Sequence, residues 1–149
     1  MPFYILGDDR LENIFIVQVK EEDIDFIGHV NYKQYIIFSE QAIMDWFASI
    51  GLYQKDLEKQ RIGLVLLDLH VSYLNEAKLG DKLKIVTSPA RLGEKSFDMK
   101  QDIYNDKGDH LTTLKKTFVT FDLSTRKSIP VIEQIVNCFN KKSVKTDCV

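Results

Sequence analysis

The feature that most constrains the fold is a long segment at 31–50 that is apolar on most sides of a helix. Its apolar residues form two neighbouring stripes at helical spacing, Ile36, Ile43, Phe47 and Ile50 beside Phe38, Ala42 and Trp46. Asn31 is a favoured N-cap, Gln34 follows at the capping-box spacing, and Gly51 suits a left-handed C-terminal turn. A helix that is apolar on most sides is buried on most sides, so the rest of the chain must wrap around it.

Strand patterns lie on both sides of this helix in the sequence. A β-branched and aromatic run at 11–19 precedes it, and further strand patterns follow at 67–73, 82–92, 95–104 and 111–123. The turns between the later runs are short, so consecutive strands are expected to be antiparallel neighbours. The sequence therefore predicts an α+β fold in which a curled antiparallel sheet of five to six strands wraps one long central helix.

Length and composition favour one cytoplasmic domain. The 149 residues suit a single domain over 1–149, with a short helix at 133–139 and a basic C-terminal tail from about 137. A net charge of −2 gives no basic field for nucleic acid, and no apolar run reaches the roughly 20 residues of a membrane span. Cys138 and Cys148 are expected to be reduced thiols.

The chain shows few known catalytic motifs. It has no glycine-rich phosphate loop and no Gly-x-Ser-x-Gly turn. His29, His70 and His110 are far apart, and no Cys/His spacing indicates a metal, so we expect none.

Residues 23–31 place two acids, a glycine, a histidine and the N-cap just before the buried helix. In one interpretation Asp23 and Asp25 are turn acids, Gly28 is the turn glycine and Asn31 is only a cap. In the other, the helix N-terminus offers unpaired N–H groups and a positive dipole end to an oxyanion. A carboxylate beside those donors could attack a carbonyl or activate water, which suits acyl transfer.

Glu40 interrupts the apolar stripe of the helix, four residues after Ile36 and three before Ile43. A carboxylate at such a position must be paired, protonated or facing a cavity.

These residues together carry a family resemblance. The pattern Asp-x-Asp-x-x-Gly-His-Val-Asn at 23–31, followed by Tyr35 and Glu40, resembles the signature of hotdog-fold acyl-CoA thioesterases. It is most similar to the 4-hydroxybenzoyl-CoA thioesterase-like branch, which includes YbgC- and FadM-type proteins. The similarity extends over roughly 12–135 and includes the Lys95-Ser96-Phe97 strand opening.

The resemblance implies a hotdog fold and hydrolysis of an acyl-CoA thioester, with coenzyme A as part of the substrate and no other cofactor. Asp25 matches the catalytic carboxylate, as nucleophile or general base. The backbone N–H of Tyr32 matches the oxyanion donor, and His29 either orients the loop or takes part in proton transfer.

The resemblance also implies where the substrate lies. The acyl group would contact Glu40, with Asn31 and Tyr35 nearby, and coenzyme A would contact Lys95, Ser96 and Arg91. The protein would be a homodimer or homotetramer with sheets joined edge to edge and active sites between subunits.

Two positions depart from the branch pattern. Tyr32 replaces an asparagine, and Ile43 replaces an arginine that usually follows the Glu40 position. Thioester binding without turnover therefore remains an alternative. An acyl carrier protein thioester is a further possible substrate.

Overall fold

The computed structural model describes residues 4–6 and 11–139, the first of these ranges by its backbone alone. Within them, one antiparallel sheet has the strand order β1-β2-β4-β5-β6-β3, and β7 pairs with β6. The strands are β1 (Tyr4–Leu6), β2 (Leu11–Gln18), β3 (Ile62–Tyr73), β4 (Lys82–Leu92), β5 (Ser96–Tyr104), β6 (His110–Asp122) and β7 (Lys127–Ser128). The helices are α1 (Tyr32–Ser49), α2 (Gln54–Lys59) and α3 (Glu133–Phe139).

The predicted α+β architecture is confirmed, with some elements added. The long helix and the five long strands were expected, whereas β1, β7 and α2 are too short to leave a periodic pattern. The tail boundary near 137 is wrong, because Cys138 and Phe139 belong to α3 and are buried against the core. Residues 140–149, including Cys148, lie outside the described part of the chain.

The core is divided into two clusters along α1. The first half of α1 packs Tyr35, Phe38 and Ala42 against the sheet, next to Leu83 and Leu114. The second half packs its apolar side chains against the other cluster, which contains Ile43, Trp46, Phe47, Phe97 and Phe118. The two halves of the helix therefore mark two ends of the molecule, which matters for where each candidate site residue lies.

The start of α1 is capped by Asn31, as predicted, but without the reciprocal box. The Asn31 side-chain oxygen accepts from the Lys33 N–H at 2.9 Å, while the Gln34 N–H donates to the Asn31 carbonyl at 2.9 Å. The cap alone therefore fixes where the helix begins.

Replacing this cap tests its contribution to stability. We expect Asn31→Ala to lower the free energy of unfolding by about 1 kcal/mol, because one first-turn N–H loses its acceptor. Urea denaturation measures the change, and Asn31→Asp, which keeps an acceptor, should stay near the parent value. Equal losses in both variants would contradict the capping role.

Candidate active site

The loop that carries Asp25 is a tight, internally bonded turn. The Gly28 N–H donates to the Asp25 carbonyl at 3.0 Å, and Gly28 has φ +91°, a conformation that favours glycine. The Ile27 N–H donates to the Asp25 carboxylate at 3.0 Å, and the Asp25 N–H donates to the His29 carbonyl at 3.1 Å. The turn therefore fixes the carboxylate just ahead of α1.

The first turn of α1 leaves one backbone donor free. The Asn31 N–H donates to the Asp23 carbonyl at 3.2 Å, and the Lys33 N–H is taken by the Asn31 side chain. The Tyr32 N–H lies between them and has no acceptor among the described residues. It lies at the positive end of the helix dipole, so it is suited to an incoming oxyanion.

Two tyrosines connect this helix start to the end of β3 and to the segment that follows it. The Tyr73 hydroxyl donates to the Tyr32 carbonyl at 2.8 Å, and the Ala77 N–H donates to the Tyr35 hydroxyl at 2.9 Å. Their rings meet edge to face with centroids 5.5 Å apart, and burial raises the pKa of both hydroxyls. The sequence did not single out Tyr73, because it lies at the end of a strand and outside any motif.

His29 faces the carboxylate of Glu76, which no sequence motif indicates. Its Nδ1 lies 2.6 Å from Glu76 Oε2, and both side chains are nearly half exposed. A cavity lies beside this pair, lined in part by Tyr32, Tyr35 and Tyr73. The structure thus brings three predicted site residues together, while the role of His29 stays a prediction.

The helix start is open to solvent in a single chain. Asp25 is half-buried, but the adjacent Phe26 is 99% exposed, and Ile27 and Tyr32 are also exposed. Burial of α1 would favour a dry site at its N-terminus. Instead, the exposure of Phe26 and Ile27 shows that none of the described residues covers the turn. A dry site at Asp25 requires a second surface.

Glu40 lines a cavity of about 350 Å³ between α1, α2 and β3. Its walls are mainly apolar and include Ile43, Met44, Phe47, Leu57, Leu64 and Phe118. The Glu40 side chain is 60% exposed, and its Oε2 lies 3.8 Å from Lys116 Nζ. Glu40 therefore both faces a cavity and has a cationic neighbour. The nearby Tyr35 hydroxyl accepts from the Ala77 N–H instead of contacting Glu40.

The three coenzyme A candidates lie at the β4–β5 turn. The Arg91 guanidinium donates to both oxygens of Asp98, at 2.8 and 3.1 Å, and to the Ser96 hydroxyl at 3.0 Å. Hydrogen bonding from Arg91 holds the pKa of Asp98 below its usual value. Arg91 and Ser96 are thus brought together, and Lys95 is exposed beside them.

These candidates are far from Asp25 in the same chain. Leu92 and Phe97, next to them, pack in the core cluster at the second half of α1, whereas Val30 packs in the cluster at the first half. Arg91 lies nine positions after Lys82 in β4, roughly 30 Å at the rise of a strand, and Lys82 pairs with Gln18 at the end of β2 that leads to the Asp25 turn. A single chain therefore does not join Asp25 to these residues.

The described part of the chain contains neither a candidate metal site nor a helix that could span a membrane. No group of three or more His, Cys, Asp or Glu side chains there could hold a metal ion. None of the helices described there has the length and apolar character needed to cross a membrane.

The chain is similar to proteins that are named as thioesterases or thioester hydrolases. The model of the thioesterase-like superfamily matches residues 19–139. The long-chain acyl-CoA thioesterase FadM of Escherichia coli is 28% identical over 114 residues, covering 76% of this chain and 86% of FadM. The 1,4-dihydroxy-2-naphthoyl-CoA hydrolase of Thermosynechococcus vestitus is 25% identical over 113 residues, covering 73% and 75% of the two chains. Staphylococcus aureus SAV2348, solved in complex with CoA, has a TM-score of 0.82 at 22% identity over 92% of this chain and 90% of that one, a likeness of fold.

Proposed function

Because the chain belongs to the thioesterase-like superfamily, with its hotdog fold, and is a thioester hydrolase, we propose that it hydrolyses acyl-CoA with Asp25 as the catalytic carboxylate. The observation that carries this proposal is the pairing of two features at one helix start. The turn at Asp25 fixes a carboxylate, and the first turn of α1 presents the free N–H of Tyr32. Hydrolysis of a thioester needs both kinds of group.

In the proposed reaction, the Tyr32 N–H polarises the thioester carbonyl and stabilises the negative charge that develops on its oxygen. As general base, Asp25 takes a proton from water while the water oxygen bonds to the carbonyl carbon. The C–S bond then breaks, and the CoA sulfur leaves as a thiolate that acquires the proton. As nucleophile, Asp25 would first form an acyl anhydride that water opens, with the same products. The proposal holds for either route.

The remaining site residues are assigned by position. Asn31 and Tyr35 would contact the substrate near Tyr32, where Tyr35 lines the cavity beside His29. The acyl group would occupy the apolar cavity whose wall includes Glu40. Arg91, Lys95 and Ser96 contact coenzyme A. Since they lie at the other end of the chain from Asp25, they would serve the site of a partner subunit. The protein would act in the cytoplasm.

A homodimer follows from the same proposal. The strand β3 pairs with β6 on one side only, and its other edge has no partner among the described residues. Val65, Leu66 and Leu67 on this strand are all exposed. A long apolar edge strand is a template for pairing with another chain. A second copy joined there would also supply the surface that the open Asp25 turn lacks.

The direct test is a hydrolysis screen of the purified protein. Thiol release would be followed with short, long and aromatic acyl-CoAs and with an acyl carrier protein thioester. The proposal expects turnover of at least one acyl-CoA. Turnover of the carrier protein thioester alone would move the substrate to that class. Tight acyl-CoA binding without thiol release would establish the alternative of a binding protein.

The dimer is tested on its edge strand. Leu67 is 66% exposed at the irregularity between Leu66 and Asp68, so Leu67→Lys places a charge in the proposed interface. We expect light scattering to show the parent as a dimer or larger and the variant as a monomer with little activity. The matched control is Leu79→Lys, which changes another exposed leucine in the turn before β4. A monomeric parent would contradict the prediction.

A further inference from the structure

Glu76 lies in the segment that joins β3 to β4, beside the Asp25 turn. Its Oε2 is 2.6 Å from His29 Nδ1, and both residues line one cavity together with Tyr32. The carbonyl of His29 also accepts from the Asp25 N–H at 3.1 Å. Glu76 is therefore connected through His29 to the turn that carries the proposed catalytic carboxylate, yet the hydrolysis as proposed above gives Glu76 no role.

Backbone contacts on both sides place this pair. The Val30 N–H donates to the Ala77 carbonyl at 3.4 Å, so the residue after His29 bonds to the residue after Glu76. Ala77 is fully buried, and its own N–H donates to the Tyr35 hydroxyl at 2.9 Å. The two side chains therefore meet where their backbones are already joined, and their contact is not a chance meeting of two long surface side chains.

The short contact determines which ring nitrogen of His29 carries a proton. At 2.6 Å an unprotonated Nδ1 would bring its lone pair against a carboxylate oxygen, so a proton must lie between the two atoms. In a neutral imidazole, a proton on Nδ1 leaves Nε2 as an acceptor. Nε2 has no partner among the described residues, and the His29 side chain is 47% exposed and lines the cavity. It is therefore available to accept a proton there.

We propose that Glu76 is a positioning residue for hydrolysis, which holds His29 with Nδ1 protonated so that Nε2 transfers a proton during the reaction. This inference rests on the proposed function and adds a residue to its site. In either route the attacking water loses one proton and the departing CoA sulfur gains one. Nε2 accepts that proton, from Asp25 or directly from the water, and donates it to the sulfur. While the ring holds both protons it is positively charged, and the Glu76 carboxylate stabilises that charge.

The other explanation of this contact is an ion pair that only ties two surface segments together. Exposed pairs of this kind usually contribute little to stability. The bond between Val30 and Ala77 already joins the two segments without it. The backbone bonds do not fix the orientation of the His29 ring, whereas a carboxylate in contact with Nδ1 does. The contact therefore suits control of the ring better than support of the fold.

The kinetic test begins with Glu76→Ala. We expect kcat for acyl-CoA hydrolysis to fall by about 10- to 100-fold, less than the loss of a general acid or base itself. KM should stay within about a factor of two, because proton transfer is affected and substrate binding is not. Glu76→Gln keeps an acceptor oxygen at the same position and should lose less activity than Glu76→Ala. The control is Glu22→Ala, which changes an exposed glutamate ahead of the same turn and should keep kcat.

A double-mutant cycle shows whether Glu76 acts through the ring. His29→Asn keeps a donor near the position of Nδ1 but removes Nε2, so it should lower kcat by itself. In that background Glu76→Ala should cause no further fall, because the group that it positions is already absent. Full and independent losses from the two substitutions would overturn the inference.

Long-range ¹H–¹⁵N NMR of the full chain reports the tautomer directly and needs no substrate. We expect the neutral His29 ring of the parent to carry its proton on Nδ1, and Glu76→Ala to move that proton toward Nε2. A parent ring protonated on Nε2 would overturn the inference. So would a Glu76→Ala variant that loses melting temperature while kcat is unchanged. In both cases, hydrolysis dependent on Asp25 would still support the proposed function.

A protein that turns over no acyl-CoA would instead remove the proposed function, and with it the proton transfer. The NMR measurement would still show whether Glu76 holds the ring. The two failures are therefore distinguishable.

Discussion

Asp25→Asn is expected to reduce kcat/KM for acyl-CoA hydrolysis by about 10²- to 10⁴-fold, the usual contribution of a positioned carboxylate. Asparagine has nearly the same shape as aspartate, and its side-chain oxygen can still accept from the Ile27 N–H. The turn and the start of α1 are therefore expected to remain as they are. The substitution removes only the negative charge and the basic oxygen that the proposed reaction requires. Thiol release under single-substrate conditions measures the loss.

The control for this variant is Asp106→Asn, which changes an exposed aspartate in the turn between β5 and β6. It should keep full activity. The melting temperatures of both variants would be measured in parallel, so that unfolding is not mistaken for lost chemistry. If Asp25→Asn folds normally and keeps activity within a factor of two of the parent, as judged by thiol release, Asp25 is not the catalytic carboxylate.

The sequence predicted the local features of the chain well. The helix follows from the periodicity of Phe38, Ala42 and Trp46 together with the cap at Asn31, and each of these acts within a few residues. The hairpin strands likewise follow from alternation and short turns. Such signals do not depend on the partner surface that an element meets, so they can be read from one sequence.

Contacts across the fold were harder to predict. The Arg91–Asp98 pair depends on a register shift between Pro89 and Arg91, and simple alternation does not indicate such a bulge. The partner of His29, Glu76, belongs to a loop without any pattern. The exposure of the Asp25 turn does not follow from the sequence pattern either. The apolar stripes of α1 indicate a buried helix but do not show that its first turn faces solvent.

Lys116 is a different case, because its signal was present in the sequence. The run from Thr112 to Thr120 alternates, and Leu114, Lys116 and Phe118 share one parity. The strand was recognised, but the single cation on its apolar face was not singled out. Glu40, a single acid in an apolar helical stripe, was singled out by the same kind of argument. The structure places these two exceptions 3.8 Å apart.

Lys116→Met is expected to raise the free energy of unfolding at neutral pH by about 1–3 kcal/mol. Burial lowers the pKa of Lys116 from its ordinary value near 10.5 to about 8. At about 1.4 kcal/mol per pKa unit, keeping the charged form in the folded protein at neutral pH costs roughly 3 kcal/mol. Methionine fills a similar volume without a charge, and Glu40, which is 60% exposed, remains solvated when its cationic neighbour is removed. Urea denaturation at pH 7 measures the gain.

The same argument fixes how stability depends on pH. Between about pH 8 and 10.5 the folded protein has released the Lys116 proton while the unfolded chain still holds it. The unfolded state binds more protons in that window, so the parent becomes more stable as the pH rises through it. Lys116→Met should lose that rise, whereas Lys115→Met, which changes an exposed lysine, should keep it. A Lys116→Met variant less stable than the parent at pH 7 would show that the bond from Lys116 Nζ to the Ser39 hydroxyl outweighs the burial of the charge. A gain in stability there would show that the cost of burying the charge outweighs the bond to Ser39.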